Sequence, residues 1–304
     1  MKSHFLISAL ILLSLSITAS AKAPKKLKRK PASPIVGEYL ETIENPQNVC
    51  LIRSTKIIEG GISIHICSGT LISPTRVLTA EHCRETSIGA KVHCGYQGLD
   101  TYENPKFSEV IAVQGEAIAL SNPNADKTEN GSDFMILDLK TESKITPMKY
   151  ADDHQKILDT IFTEDLDSGT FYLKDDVECR MAGYGTDNDS KIQRLHVAKL
   201  TQGPNYRLYY GRHLEKYGMG YVAFSNVDSP KGILKTNHTE TGDSGGPLYC
   251  KINDVWTVIA ELHGHGPEVI IWPMLGTEAF SLYDKISILP IADRDAAIKK
   301  LGEK

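Results

Sequence analysis

The stretch Gly242-Asp243-Ser244-Gly245-Gly246-Pro247-Leu248 is the part of this chain best equipped for chemistry. A serine hydroxyl is a weak nucleophile until a base takes its proton, and attack on a carbonyl creates an oxyanion that needs donors. A serine in a glycine-flanked turn meets part of that need. The N–H groups of Ser244 and Gly242 can converge on one carbonyl oxygen, because glycine places no Cβ in the way. A base must come from elsewhere in the chain. His82 stands beside Cys83 at the end of Val77-Leu78-Thr79-Ala80-Glu81-His82-Cys83, and taken alone it reads as a structural histidine or a metal ligand.

Together these segments resemble the trypsin/chymotrypsin family of serine proteases, whose nucleophile motif is GDSGGP and whose base lies in CGGTLI…VLTAAHC. Cys67-Ser68-Gly69-Thr70-Leu71-Ile72 is similar to the first part of that pattern, and the segment ending in His82 to the second, with Glu81 replacing an alanine. The resemblance implies His82 as general base and Ser244 as nucleophile, in the family's chain order. It calls for an aspartate between them at the head of an apolar strand. Ser132-Asp133-Phe134-Met135-Ile136-Leu137-Asp138-Leu139 fits, with Asp133 in the triad position and Asp138 as a surface carboxylate. Gly242 and Ser244 then supply the oxyanion hole, and the reaction runs through an acyl-enzyme.

The resemblance extends over most of residues 35–290. Cys179-Arg180-Met181-Ala182-Gly183-Tyr184-Gly185-Thr186 is similar to C-x-x-x-G-W-G-T, with tyrosine for tryptophan. Two disulfides are thereby implied, Cys67–Cys83 and Cys179–Cys250. Cys50 and Cys94 are left over, and a third bridge between them is expected. The family disulfide just before the nucleophile is absent, since Glu240 stands in place of its cysteine. Ile35-Val36-Gly37-Glu38 looks like the family's mature N-terminus, whose freed amine pairs with the aspartate before the nucleophile, here Asp243. Pro34 precedes Ile35, where most zymogens carry Arg or Lys, so activation would need a protease of different specificity, or trimming after a first cut near Arg29.

By the same resemblance the substrate pocket has His238 at its base and Thr239 beside it, with a wall from Leu262 to Gly266 that includes His263, Gly264 and His265. Three imidazoles there, partly protonated, would favour an acidic side chain before the scissile bond. Glu240 or Glu261 is the displaced acid that a preference for basic residues would need.

These side chains need a scaffold. Short apolar or alternating runs bounded by Gly, Pro, Asn and Asp recur along the chain, among them Val49–Ile52, Ile62–Ile66, Arg76–Leu78, Phe134–Leu139, Cys179–Ala182, Leu195–Leu200 and Val255–Leu262. Such punctuation predicts a β-sandwich or barrel. The family's architecture makes it all-β, with two packed antiparallel six-stranded barrels, a division near residues 150–170, and the triad in the cleft. Helical pattern is confined to Asp152–Asp165 and to a short C-terminal helix over Ala292–Leu301.

Composition agrees with a folded chain of 304 residues, 41% hydrophobic and 24% charged. Residues 1–21 read as an export signal: a basic start, an apolar run over Phe5–Ile17 and Ala19-Ser20-Ala21 as a cleavage site. Residues 22–34 form a basic propeptide or linker carrying six positive charges and no acid, and 35–304 the peptidase domain. Lys2 and those six account for seven of 34 basic residues, leaving 27 against 38 acids from residue 35 onward. So acidic a body argues against nucleic acid as a partner. No later stretch has the length to span a membrane, and six cysteines suit a secreted, periplasmic or extracellular product. The partners expected are a peptide or protein substrate and an activating protease, acting on a monomer that needs neither cofactor nor metal. The alternative is a catalytically silent homologue that serves as a binding or adhesion module.

Overall fold

The computed structural model describes residues 46–84, 89–114, 118–119, 133–185, 193–200, 206–211, 221–226, 241–265, 269–290, 292–294 and 296–297. The apolar runs become strands. β1 (Val49–Ile58) and β2 (Gly61–Ser73) form a long antiparallel hairpin in which Val49 faces Thr70 and Ile57 faces Ile62. With β3 (Arg76–Thr79), β4 (Lys91–Leu99), β5 (Pro105–Ala112), β6 (Ile118–Ala119) and β7 (Met135–Asp138) they build one sheet, ordered β5-β4-β1-β2-β3-β7-β6.

The second half opens with β8 (Lys149–Tyr150) and α1 (His154–Ile161), followed by β9 (Phe162–Asp165), β10 (Thr170–Leu173), β11 (Cys179–Gly183), β12 (His196–Lys199) and β13 (Tyr206–Gly211). Next come β14 (Tyr221–Asn226), β15 (Pro247–Ile252), β16 (Val255–Glu261), β17 (Gly264–His265), β18 (Val269–Pro273) and α2 (Glu278–Ser287). They form a six-stranded sheet, β17-β18-β14-β13-β10-β9, and a five-stranded one, β12-β11-β15-β16-β8. A bridge between Ala260 and Met274 ties the two together. Pairing is antiparallel except for β8 on β16. The all-β class is therefore as expected from the sequence. The strand counts of seven, six and five differ from six and six, in part because two-residue pieces such as β6, β8 and β17 pair at sheet edges and carry too little pattern to be read from residues alone.

Burial explains why the first-half strands read as continuous apolar runs. Along β1, Cys50 and Ile52 enter one core with Leu71, Val77, Val92, Met135 and Leu137. Val49 and Leu51 enter another, larger core with Phe134, Ile136, Tyr184, Leu248 and Ile259. Successive side chains of a strand point to opposite faces, so this sheet is apolar on both: one face closes its own core and the other packs on the second half. The candidate site lies along that seam.

Two helices brace the arrangement. α1 falls within the predicted helical stretch, and the Asp153 side chain caps it by accepting from the Lys156 amide at 3.1 Å. The predicted C-terminal helix is helical wherever it is described, and a further helix precedes it. Residues 292–294 and 296–297 are helical, but the principal element is α2, capped by Thr277, whose hydroxyl accepts from the Phe280 amide. Phe280 and Tyr283 pack edge-on or tilted against Phe134 at ring distances of 5.2 and 5.5 Å, and the Ile136 amide donates to the Tyr283 hydroxyl at 2.8 Å. Hence α2 steadies the strand that follows Asp133. Asp138, expected at the surface, is half-buried and paired with Arg294. A strand end covered by the C-terminal segment cannot leave a carboxylate in low dielectric without a partner.

Candidate active site

Asp133 sits just ahead of β7 and is 8% exposed. It receives His82 twice. The His82 backbone N–H donates to Oδ1 at 2.9 Å, and ring Nδ1 lies 2.8 Å from Oδ2. The first contact fixes the short 3₁₀ turn Glu81–Cys83 against the strand, and the second fixes the plane of the imidazole. Burial pushes the Asp133 carboxyl up, but hydrogen bonds from His263 and His82 outweigh it and hold the group below its ordinary value.

Ser244 occupies a turn tied to the first-half sheet. The Ser68 backbone N–H donates to the Ser244 carbonyl at 2.8 Å. The Ser68 hydroxyl donates to the Gly242 carbonyl at 2.7 Å and accepts from the Tyr184 amide at 2.8 Å. Thr79 in turn donates to the Ser68 carbonyl at 2.7 Å. Ser68, fully buried, thus clamps both ends of the Gly242–Ser244 turn to β2. Gly242 adopts a φ of +107°, a conformation open to glycine and strained for other residues. Among the described residues, neither the Gly242 nor the Ser244 amide donates to a protein acceptor.

Asp243 is wholly buried and accepts from the Gly185 amide at 2.7 Å. A Cβ on Gly185 would come within 2.5 Å of Asp243 Oδ2, so the Gly-Tyr-Gly segment is built around this carboxylate. Ile35, its expected partner, lies outside the described residues, as do the proposed signal and propeptide segments.

The anticipated pocket divides. His238, Thr239 and Glu240 lie outside the described residues. Gly264 and His265 form β17, pairing with Ile271 and Ile270 of β18. His263 turns inward instead: its Nδ1 is hydrogen-bonded to Asp133 Oδ2, the oxygen that His82 also meets. Glu261, considered above as a displaced acid, is fully buried and has no hydrogen-bond partner among the described residues. Burial, with a smaller effect from Asp133, pushes its carboxyl well above the ordinary value.

His82, Asp133 and His263 hold ligand-type atoms within 4.8 Å of one another. The 2.8 Å separation at His82 is that of nitrogen and oxygen sharing a proton. Ligands around a zinc ion about 2.0–2.2 Å away would stand farther apart, so proton chemistry suits the cluster better than a metal.

Three disulfides stiffen the surroundings: Cys50–Cys94 between β1 and β4, Cys67–Cys83 beside the His82 turn, and Cys179–Cys250 at a directly opposed pair of β11 and β15. The contributions of Ser68 and His263 had no clear signal in the residues. The one available hint of a buried polar clamp was Ser68 following the Ile62–Ile66 run, within the segment Cys67–Ile72.

A family model described as Trypsin matches residues 42–266. Ovochymase of Halocynthia roretzi is 28% identical over 196 residues, covering 63% of this chain and 11% of its own length. Coagulation factor XI of Bos taurus is 27% identical over 245 residues, covering 74% and 36%, and granzyme F of Mus musculus 28% over 192, covering 61% and 66%. The chain thus spans about a tenth of the first relative and about a third of the second. Among solved structures, the scabies mite inactivated protease paralogue S-I1 superposes with a TM-score of 0.49 at 18% identity, covering 80% of this chain and 96% of its own.

Proposed function

The chain belongs to the trypsin-like serine protease family, and from that premise we propose that it is an exported serine endopeptidase acting through His82, Asp133 and Ser244. The observation that carries this reading is the double grip of Asp133 on the backbone and ring of His82. A donor held on Nδ1 leaves Nε2 as the basic nitrogen, the tautomer that a general base requires.

In this mechanism His82 takes the Ser244 hydroxyl proton as Oγ bonds to the scissile carbonyl carbon. The resulting oxyanion meets the Gly242 and Ser244 amides. His82 then passes the proton to the leaving amine, the C–N bond breaks, and water releases the acyl group by the reverse sequence. Asp133 orients the ring and stabilises its cation. The substrate is a peptide or protein. A freed Ile35 amine pairing with Asp243 would make the chain a zymogen, and three disulfides suit an extracellular setting.

A second reading, the catalytically silent binding module, is favoured by one observation: His263 occupies the carboxylate oxygen that the base depends on. Labelling with a fluorophosphonate, peptide mapping and N-terminal sequencing separate the two. The peptidase reading expects label on Ser244, lost in Ser244→Ala, on a chain beginning at Ile35. Label with a different N-terminus would keep the enzyme and discard the Ile35–Asp243 route. A folded chain starting at Ile35 that takes no label would favour the module.

A further inference from the structure

Asp133 Oδ2 accepts from two imidazoles, His82 and His263, each through Nδ1. Their ring centroids are 6.0 Å apart and the planes nearly perpendicular, at 89°. His82 is the more open of the two, with its side chain 43% exposed against 36% for His263, while the carboxylate between them is 9% exposed. Around His263 lie Asp133, ahead of β7, and His82, on the 3₁₀ turn, while Glu261, two residues earlier in the chain at the end of β16, interacts electrostatically with Asp133. Burial, with a smaller effect from Asp133, pushes the Glu261 carboxyl well above its ordinary value. Asp133 carries a charge that balances a proton on His263, and the same charge must balance the proton His82 acquires during acylation.

Resting on the peptidase reading, we propose that His263 is a positioning residue of the triad, which orients Asp133 through Oδ2 and, when it carries a proton, competes with His82 for that carboxylate's charge. Two consequences follow from the geometry. As a neutral donor, His263 holds the carboxylate in the plane that faces His82. As a cation, it places a like charge about 6 Å from the imidazolium formed in the transition state; this slows acylation by about a hundredfold at an effective dielectric near 20, and by about tenfold once solvent screening of the two partly exposed rings is included. The hydrogen bond to Asp133 raises the proton affinity of His263, with burial opposing, so the braked state extends above the ordinary imidazole range. The brake is strongest at acidic pH and is released as pH rises through the raised value.

The test compares the pH profile of kcat/KM for wild type, His263→Asn and His263→Ala in the activated full chain. Asparagine can keep an N–H donor on Oδ2 and does not titrate. The ratio of His263→Asn to wild type is expected to rise about tenfold between pH 9 and pH 6, while His263→Ala, lacking the donor, falls below His263→Asn across the range. A ratio that stays flat with pH overturns the proposal. A readout independent of turnover uses histidine ring NMR in Ser244→Ala: His263 should titrate above the ordinary imidazole value, and adding Asp133→Asn should lower its midpoint. An unmoved midpoint overturns the pairing. Absence of turnover and labelling in every variant, with the midpoint still moving, would count against the peptidase reading and leave the His263–Asp133 pair standing.

Discussion

At the residue scale, the site concentrates ionisable groups in a way that sets its response to pH. Asp133 is held low by two imidazole donors, while Glu261, close by and without a hydrogen-bond partner among the described residues, is held high. A carboxyl whose folded-state value is raised keeps its proton in the folded chain when the unfolded chain has lost it. Stability from this group is thus full below the ordinary carboxyl range and declines as pH climbs toward the raised value. Replacing Glu261 by leucine removes that decline and a buried polar group of similar volume. Glu261→Leu should therefore stabilise by about 1–3 kcal/mol at pH 8, with the gain shrinking toward pH 4, as read from urea denaturation at several pH values. A gain that does not depend on pH would show that Glu261 is not proton-linked to folding. The candidate residues His82 and Ser244 were legible in the sequence because they and their flanking residues form long motifs. The contact of His263 with Asp133 was not, since a hydrogen bond between residues 130 apart in the chain leaves no local pattern.

At the scale of elements, the strand carrying Asp133 is positioned by packing from behind. Phe134 and Ile136 face the larger core, and α2 closes over them through Phe280 and Tyr283. Phe280→Ala deletes a fully buried ring and should cost about 3–5 kcal/mol in chemical denaturation. If α2 also steadies Asp133, Phe280→Ala should reduce kcat more than it raises KM under conditions where the variant stays folded. The strands were readable because their runs are bounded by turn residues: β1, β2, β3 and β11 contain the segments expected, and β7 and β16 fall within theirs. α2 escaped because its sequence, Glu278–Ser287, follows directly on β18 and competes with a second helical stretch nearer the C-terminus. Its Thr277 cap was the signal present in the residues.

At the scale of the whole molecule, the seam between the two cores is where chemistry can be assembled from distant parts of one chain. His82 and Asp133 come from the first-half sheet and Ser244 from the second half, tied across the seam by Ser68. Alternating side chains of β1 and β7 serve both cores at once, so substitutions on either face should be felt at the site. No helix among the described residues is long and apolar enough to cross a membrane.

The placement of the disulfides has a further consequence. Cys50–Cys94 and Cys67–Cys83 both close within the first half, and Cys179–Cys250 within the second, so no covalent cross-link spans residues 95–178. A single backbone scission anywhere in that interval would leave two pieces joined only by the buried seam. On a denaturing gel without reductant such nicked protein should run as two separate bands, whereas a cut inside a bridged loop should migrate as one. One intact band after a mapped cut in that interval would contradict the pairing described here. After such a cut, what holds the two pieces together is the apolar packing of the seam and no covalent bond.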